Sequence, residues 1–263
     1  MLLPRLISAA IGIPLVVAAI WLGGALLAGV IAVAVFIAVL EVAAARKVAN
    51  SPAALVPPLL AGLMPVAALA GLDWFLAAIV LTILVLGSGF TLTKEPHRGV
   101  ETWLWGLVPA LYVGVLAAHF ILLRELPDGR DLVLFTVLTV WSTDTGAYAV
   151  GRLIGRHKLS PVISPGKTIE GGIGSWVTGL ITVFVLAAAL GLGLSTLHLV
   201  VLGLVLPPVI LVGDLAESAL KRALDVKDSG FLVPGHGGIL DRLDSLLFAA
   251  PVVYYYVEFV IRS

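Results

Sequence analysis

Nine runs of roughly 20 apolar residues succeed one another along this chain, at 6–22, 25–45, 53–71, 74–92, 102–123, 132–150, 171–192, 196–213 and 240–260. Each is long enough to cross the hydrocarbon core of a bilayer as a helix, which satisfies its own backbone hydrogen bonds there. Pro, Gly and charged residues separate them, as at Ser51-Pro52, Lys94-Glu95-Pro96 and Pro127-Asp128-Gly129. Composition agrees: 60% of the 263 residues are hydrophobic and 12% charged, where a soluble chain has about half and about a quarter. The predicted fold class is therefore all-α, a polytopic membrane protein with about nine transmembrane helices. Residues 1–130 are expected to form N-terminal spans, and residues 131–263 C-terminal spans that carry the chemistry.

The opening segment, with Arg5 ahead of an apolar run, has the outline of a signal peptide. It lacks a clear small-residue cleavage site and further apolar runs follow at once, so it is read as a retained first span. Cysteine is absent, which excludes a disulfide framework, a thiol nucleophile and thiolate metal sites. The net charge of zero gives no electrostatic argument for a nucleic-acid partner.

Basic residues set the orientation. With the N-terminus in the cytoplasm, Arg5, Arg46, Lys47, Lys94, Arg98, Arg152, Arg156, Lys158, Lys167, Lys221, Arg222, Lys227 and Arg242 fall inside, while Arg124, Arg130 and Arg262 fall outside. This split of 13 against 3 under strict alternation puts both long polar loops, 151–170 and 214–239, on the cytoplasmic side of an inner membrane.

Charge near a bilayer is costly, so its concentration marks candidate function. Read as a helix, "VGDLAESALKRALDVKDSG" places Asp214, Glu217, Ser218, Lys221 and Arg222 on one face, with Glu217 and Lys221 in the favourable i,i+4 order. An interfacial helix with solvated charges is an equal reading, but Asp214 directly follows an apolar run and fits that reading worst. In "VPGHGGILDRLDS" the glycines let backbone N–H groups approach an anion, and a helix is predicted from about Ile239. Asp241 and Asp244 then share its first turn. Two carboxylates so close disfavour each other's charge unless a cation compensates, and oxygen-bound magnesium is the usual partner of substrate phosphates. Acidic residues complementing a helix dipole explain one aspartate but not two plus Asp214. His236 is left open between a phosphate contact, a turn residue and a proton carrier. His97, His119, His157 and His198 have no metal-ligand spacing.

Asp144 lies inside an apolar span in "WSTDTGAY", a site hypothesis by default, with a buried ion pair as the plain alternative. "SPGKTIEGG" offers Lys167 and Thr168 after a glycine, but Pro161 breaks the phosphate-loop pattern and no strand is predicted before it. A phosphate loop of another design and a simple cytoplasmic turn both remain open. Carboxylates, Lys and Arg side chains and glycine turns at one membrane face suit phosphoryl or nucleotidyl transfer with a lipid substrate.

The run "SALKRALDVKDSGFLVPGHGGILDRLD", Ser218 to Asp244, resembles the signature of the phosphatidate cytidylyltransferase (CDP-diacylglycerol synthase) family. Every polar position of that signature is present, and Val233 is a conservative departure. "WSTDTGAY" and "SPGKTIEGG" also resemble the family, less specifically, whereas the first 130 residues match only as serial spans. The resemblance implies that CTP and phosphatidate give CDP-diacylglycerol and pyrophosphate, with Mg2+ and possibly a second cation. It implies Asp214, Asp241 and Asp244 as metal ligands and Lys227 beside them in catalysis. Lys221, Arg222, Lys227 and Arg242 would hold phosphates, with Ser218, His236, Asp144 and Lys167 completing the substrate pocket. It also suggests a homodimer.

The alternative is a membrane transporter with an intramembrane charged site, which should distribute polar residues along a path and interrupt spans in both halves. Here the polar residues collect at one end. The Asp-x-x-Asp-Gly motif of CDP-alcohol phosphotransferases and the Arg-Pro element of histidine-type lipid phosphatases are both absent.

Overall fold

A computed structural model describes residues 3–46, 52–91, 95–230 and 237–262. Its helices are α1 (Leu3–Leu22), α2 (Gly24–Ala45), α3 (Val56–Ala70), α4 (Leu72–Thr91), α5 (Pro96–Arg124), α6 (Gly129–Ile154), α7 (Ile169–Leu190), α8 (Thr196–Ala223) and α9 (Leu240–Tyr256). Each predicted apolar run falls on one of these helices. Among the described residues, seven helical stretches are long and apolar enough to cross a membrane, and α6 is not one of them. Its C-terminal half carries the polar run from Trp141 to Tyr148, which dilutes the apolar first half. Of α1, the stretch Gly12–Leu22 is an apolar helix shorter than a full span. Among the described residues the protein is all-α apart from one feature that was not expected from the sequence. Lys158–Ser160 (β1) and Ser164–Thr168 (β2) pair as an antiparallel hairpin just before α7. Pro165 and Gly166 inside β2 disguise that strand in the sequence.

The chain divides into two compact units. The first comprises Met1–Glu125 with Asp228–Arg242, and the second Leu126–Lys227 with Leu243–Ser263.

In the first unit α2, α3 and α5 pack around Val35, Ala38, Ala61, Met64, Ala110 and Val113, all without exposed surface. Small side chains predominate because helices in lipid associate through close van der Waals contact rather than through water exclusion. At the end of α1, Arg124 Nε donates to the Ile20 carbonyl at 3.1 Å, satisfying an acceptor that the helix terminus leaves open. His119 is a core residue: its Nδ1 lies 2.8 Å from the Val115 carbonyl and its ring meets Phe75 edge-on.

In the second unit α6 and α7 approach closely at glycines. A Cβ on Gly174 would lie 2.6 Å from Val150 Cβ, and one on Gly171 would lie 2.8 Å from the Ala147 carbonyl oxygen. Gly171, one of the glycines in "SPGKTIEGG", therefore serves helix contact. Pro207 and Pro208 sit inside α8. Proline has no N–H, so Pro208 leaves the Leu204 carbonyl without its helical donor. Trp176 Nε1 of α7 supplies the missing hydrogen bond to that carbonyl at 3.0 Å. His198 is likewise structural, its Nδ1 lying 3.0 Å from the Tyr256 hydroxyl.

Candidate active site

Helix α8 does not stop at the expected end of its span near residue 213 but runs on to Ala223. That extension carries the amphipathic face, and Asp214 opens it. Gly213 lies against α9: a Cβ there would be 2.9 Å from the Asp244 carbonyl oxygen and 3.1 Å from Phe248 Cδ2. The missing side chain lets the two helices touch where each presents an aspartate.

A third carboxylate joins them from α6. Asp144 is within electrostatic reach of Asp244, Asp214 and Lys167, and it shares a side-chain hydrogen bond with Ser245. Asp244 Oδ1 itself accepts the Ser245 N–H at 2.7 Å. The hairpin delivers the cation. Lys167 on β2 places Nζ 2.7 Å from Asp214 Oδ2, with 17% and 34% of the two side chains exposed. This contact is an ion pair rather than a directed hydrogen bond, because the buried Nζ has no acceptor in hydrogen-bonding geometry. Thr168, next to it, caps α7 by accepting the Gly171 N–H at 3.1 Å. Glu170 accepts the His157 N–H and lies 2.6 Å from His157 Nδ1, which fixes the base of the hairpin.

Carboxylates are concentrated in this group. Asp144, Asp214 and Asp244 lie within electrostatic reach of one another beside Lys167, a concentration of carboxylates that suits a further cation. Among the described residues, no three His, Cys, Asp or Glu side chains converge as a ready-made metal cage. Magnesium needs no such cage, since it is commonly held by one or two carboxylates, with waters and substrate phosphates filling its other positions. The donor set of hard carboxylate oxygens fits that mode.

The other expected residues take varied places. Glu217 and Lys221 form the i,i+4 pair at 2.7 Å, with Glu217 almost wholly buried. Ser218 Oγ lies 3.4 Å from Asp214 Oδ1, a long contact one turn along α8. Arg222 is turned to the protein backbone: its Nε donates to the Ile163 carbonyl at the hairpin tip at 3.3 Å, and Nη1 to the Val226 carbonyl at 3.2 Å. Lys227 lies exposed beyond the end of α8, and Arg242 is exposed on the first turn of α9. His236 lies outside the described residues.

Asp241, in the first unit, is engaged by the polypeptide that precedes it. Its Oδ2 accepts the Ser229 and Gly238 N–H groups at 3.1 and 2.8 Å, and lies 3.0 Å from Ser229 Oγ. The glycine turn does bring backbone N–H groups to an anion, and in the structure those anions are the protein's own carboxylates. The second of them is Glu41 of α2, which accepts the N–H groups of Ile239 and Leu240. Glu41 was legible, since it is a lone carboxylate inside an apolar run, as Asp144 is. Ser245 carried no such signal.

Comparison with known proteins follows the same lines. A family model described as the cytidylyltransferase family matches residues 3–260. A phosphatidate cytidylyltransferase of Staphylococcus haemolyticus is 40% identical over 185 residues, covering 69% of this chain and 70% of that protein. One of Bacillus subtilis is 44% identical over 147 residues, but the aligned part is 56% of this chain and 55% of that protein. An Escherichia coli protein termed uncharacterized protein YnbB is 38% identical over 181 residues, covering 67% of this chain and 60% of that protein. With a family match that runs almost end to end through a multi-pass membrane body, the chain belongs to the cytidylyltransferase family.

Proposed function

We propose that the protein is a phosphatidate cytidylyltransferase of the inner membrane with its site open to the cytoplasm. It joins CTP to phosphatidate and releases pyrophosphate. An oxygen of the lipid phosphate attacks the α-phosphorus of CTP in line. The new P–O bond forms as the bond between the α-phosphorus and its bridging oxygen to the β-phosphate breaks, and the electron pair leaves with pyrophosphate. No base is needed, because a phosphate monoester is already an anion at neutral pH.

The observation that carries this reading is the meeting of Lys167 with Asp214 beside Asp144 and Asp244. Lys167 is a buried cation whose partner geometry leaves its protons undirected, so a phosphate oxygen can take them without breaking a good hydrogen bond. Asp214 and Asp244 would hold magnesium in this group, which when bound offsets the negative charge of the triphosphate; for Asp241 it is the family signature around it that supports a cation-binding role. Lys221 and Arg242, with Lys227, are the further cations at this end of the chain. Glu217 holds Lys221 in place, and Arg222 ties the hairpin tip to the end of α8. The excess of basic residues in alternate loops supports the cytoplasmic orientation. The two phosphatidate cytidylyltransferases named above support the choice of substrates.

The test is a product assay in nanodiscs containing phosphatidate, with each of the four ribonucleoside triphosphates and magnesium. CTP alone should yield pyrophosphate and a cytidylylated lipid in equal amounts. Pyrophosphate release without lipid, or equal use of all four nucleotides, would contradict the proposal.

A further inference from the structure

Glu41 is a buried carboxylate, 5% exposed, in the otherwise apolar helix α2. Burying such a group is costly unless its oxygens are hydrogen-bonded. Its partners among the described residues come from the far end of the chain. Oε1 accepts the Ile239 N–H at 2.9 Å, and Oε2 accepts the Leu240 N–H at 3.0 Å. Ser229 Oγ lies 3.0 Å from Oε2 and also 3.0 Å from Asp241 Oδ2. One hydroxyl thus sits between the two carboxylates and can donate its single proton to either.

The polypeptide is shaped to this carboxylate. A Cβ on Gly230 would lie 2.4 Å from Glu41 Oε1, and one on Gly238 would lie 2.4 Å from Oε2 and 2.1 Å from Ser229 Oγ. Side chains at either position would displace Glu41. The two amides it receives are at the start of α9, where backbone donors have no helical acceptor and negative charge is favoured. A serine or aspartate at the cap position would meet that need locally. A glutamate reaching from α2 adds a fixed distance between α2 and the head of α9, within the first unit.

We propose that Glu41 is a positioning residue. It fixes the head of α9 and, through Ser229, the direction in which Asp241 presents its carboxylate to a cation. The claim rests on the functional reading above for the role of Asp241. Its test is therefore built on binding as well as turnover.

Glu41→Gln keeps the size but replaces one acceptor oxygen by an NH2 group, which faces a backbone N–H or the Ser229 hydroxyl. Mn2+ affinity is measured by electron paramagnetic resonance on the full chain in nanodiscs, together with hydrogen exchange at Ile239 and Leu240. We expect faster exchange at both amides and Mn2+ affinity lower by roughly 10–100-fold, as for other residues that orient a metal ligand. The rate with CTP and phosphatidate should fall, and the magnesium concentration giving half the maximal rate should rise. Ser229→Ala, which leaves the Glu41 contacts to α9 intact, should weaken Mn2+ binding in the same direction without the change in exchange, and it carries the test if Glu41→Gln does not fold. A lower thermal midpoint with unchanged Mn2+ affinity and unchanged magnesium dependence would overturn the proposal and leave Glu41 a structural staple. If the wild type binds Mn2+ but makes no cytidylylated lipid, the functional reading fails while the Mn2+ comparison still decides the role of Glu41.

Discussion

Lys167 Nζ, on a two-stranded hairpin, meets Asp214 Oδ2 on α8 at 2.7 Å, and this pair joins the hairpin to the helix that carries the acidic group. Its removal separates stability from chemistry. Lys167→Met leaves Asp214 uncompensated near two other carboxylates. Asp214 keeps 34% of its side chain exposed, so the loss should stay below the roughly 3–5 kcal/mol of a fully buried broken pair. The double variant Lys167→Met/Asp214→Asn should regain most of the thermal midpoint and none of the activity. Recovery of turnover in the double variant would show that the pair is only structural.

Asp144→Asn is expected to act in the opposite sense on the two properties. It removes one of three like charges and keeps an oxygen for Ser245, so the thermal midpoint should hold or rise. Cytidylyl transfer should fall by about 10–100-fold or more. Thermal unfolding and initial rates on the same preparation check this.

Gly213→Ala tests the contact between α8 and α9. Its Cβ would press on the Asp244 carbonyl and on Phe248, and overpacking of this kind costs roughly 1–3 kcal/mol. Activity should drop with stability, because the same shift moves Asp214 away from Asp244. A variant as stable and active as wild type would mean that the helices have room to spare.

Trp176→Phe probes the proline break in α8. The ring remains, but the Leu204 carbonyl loses its donor. The expected loss is about 0.5–1.5 kcal/mol of stability with kcat unchanged, read from thermal unfolding and pyrophosphate release.

Much of this was legible because lipid imposes strict rules on sequence. Runs long enough to span and charges collected in alternate loops mark the helices, so each predicted run falls on a helix. The i,i+4 spacing of Glu217 and Lys221 likewise foretells their ion pair. What was hidden depends on contacts between distant segments. The hairpin bearing Lys167 is disguised by Pro165 and Gly166, which oppose strand formation locally and are tolerated in a two-stranded ribbon. Gly213 reads as an ordinary helix glycine until Asp244 and Phe248 are seen against it. Glycines near His236 suggest an external anion, yet Gly230 and Gly238 make room for Glu41. Only the chain's return to α2 reveals that partner.

The most direct measurement is the initial rate of pyrophosphate release from CTP by folded Asp214→Asn protein, in phosphatidate nanodiscs with saturating magnesium, beside wild type. If the acidic group beside Lys167 receives the cation and the triphosphate, the rate of the folded variant should fall by at least about 100-fold, far more than the lowered thermal midpoint of a broken ion pair accounts for. A rate within about twofold of wild type would place the chemistry elsewhere in the protein.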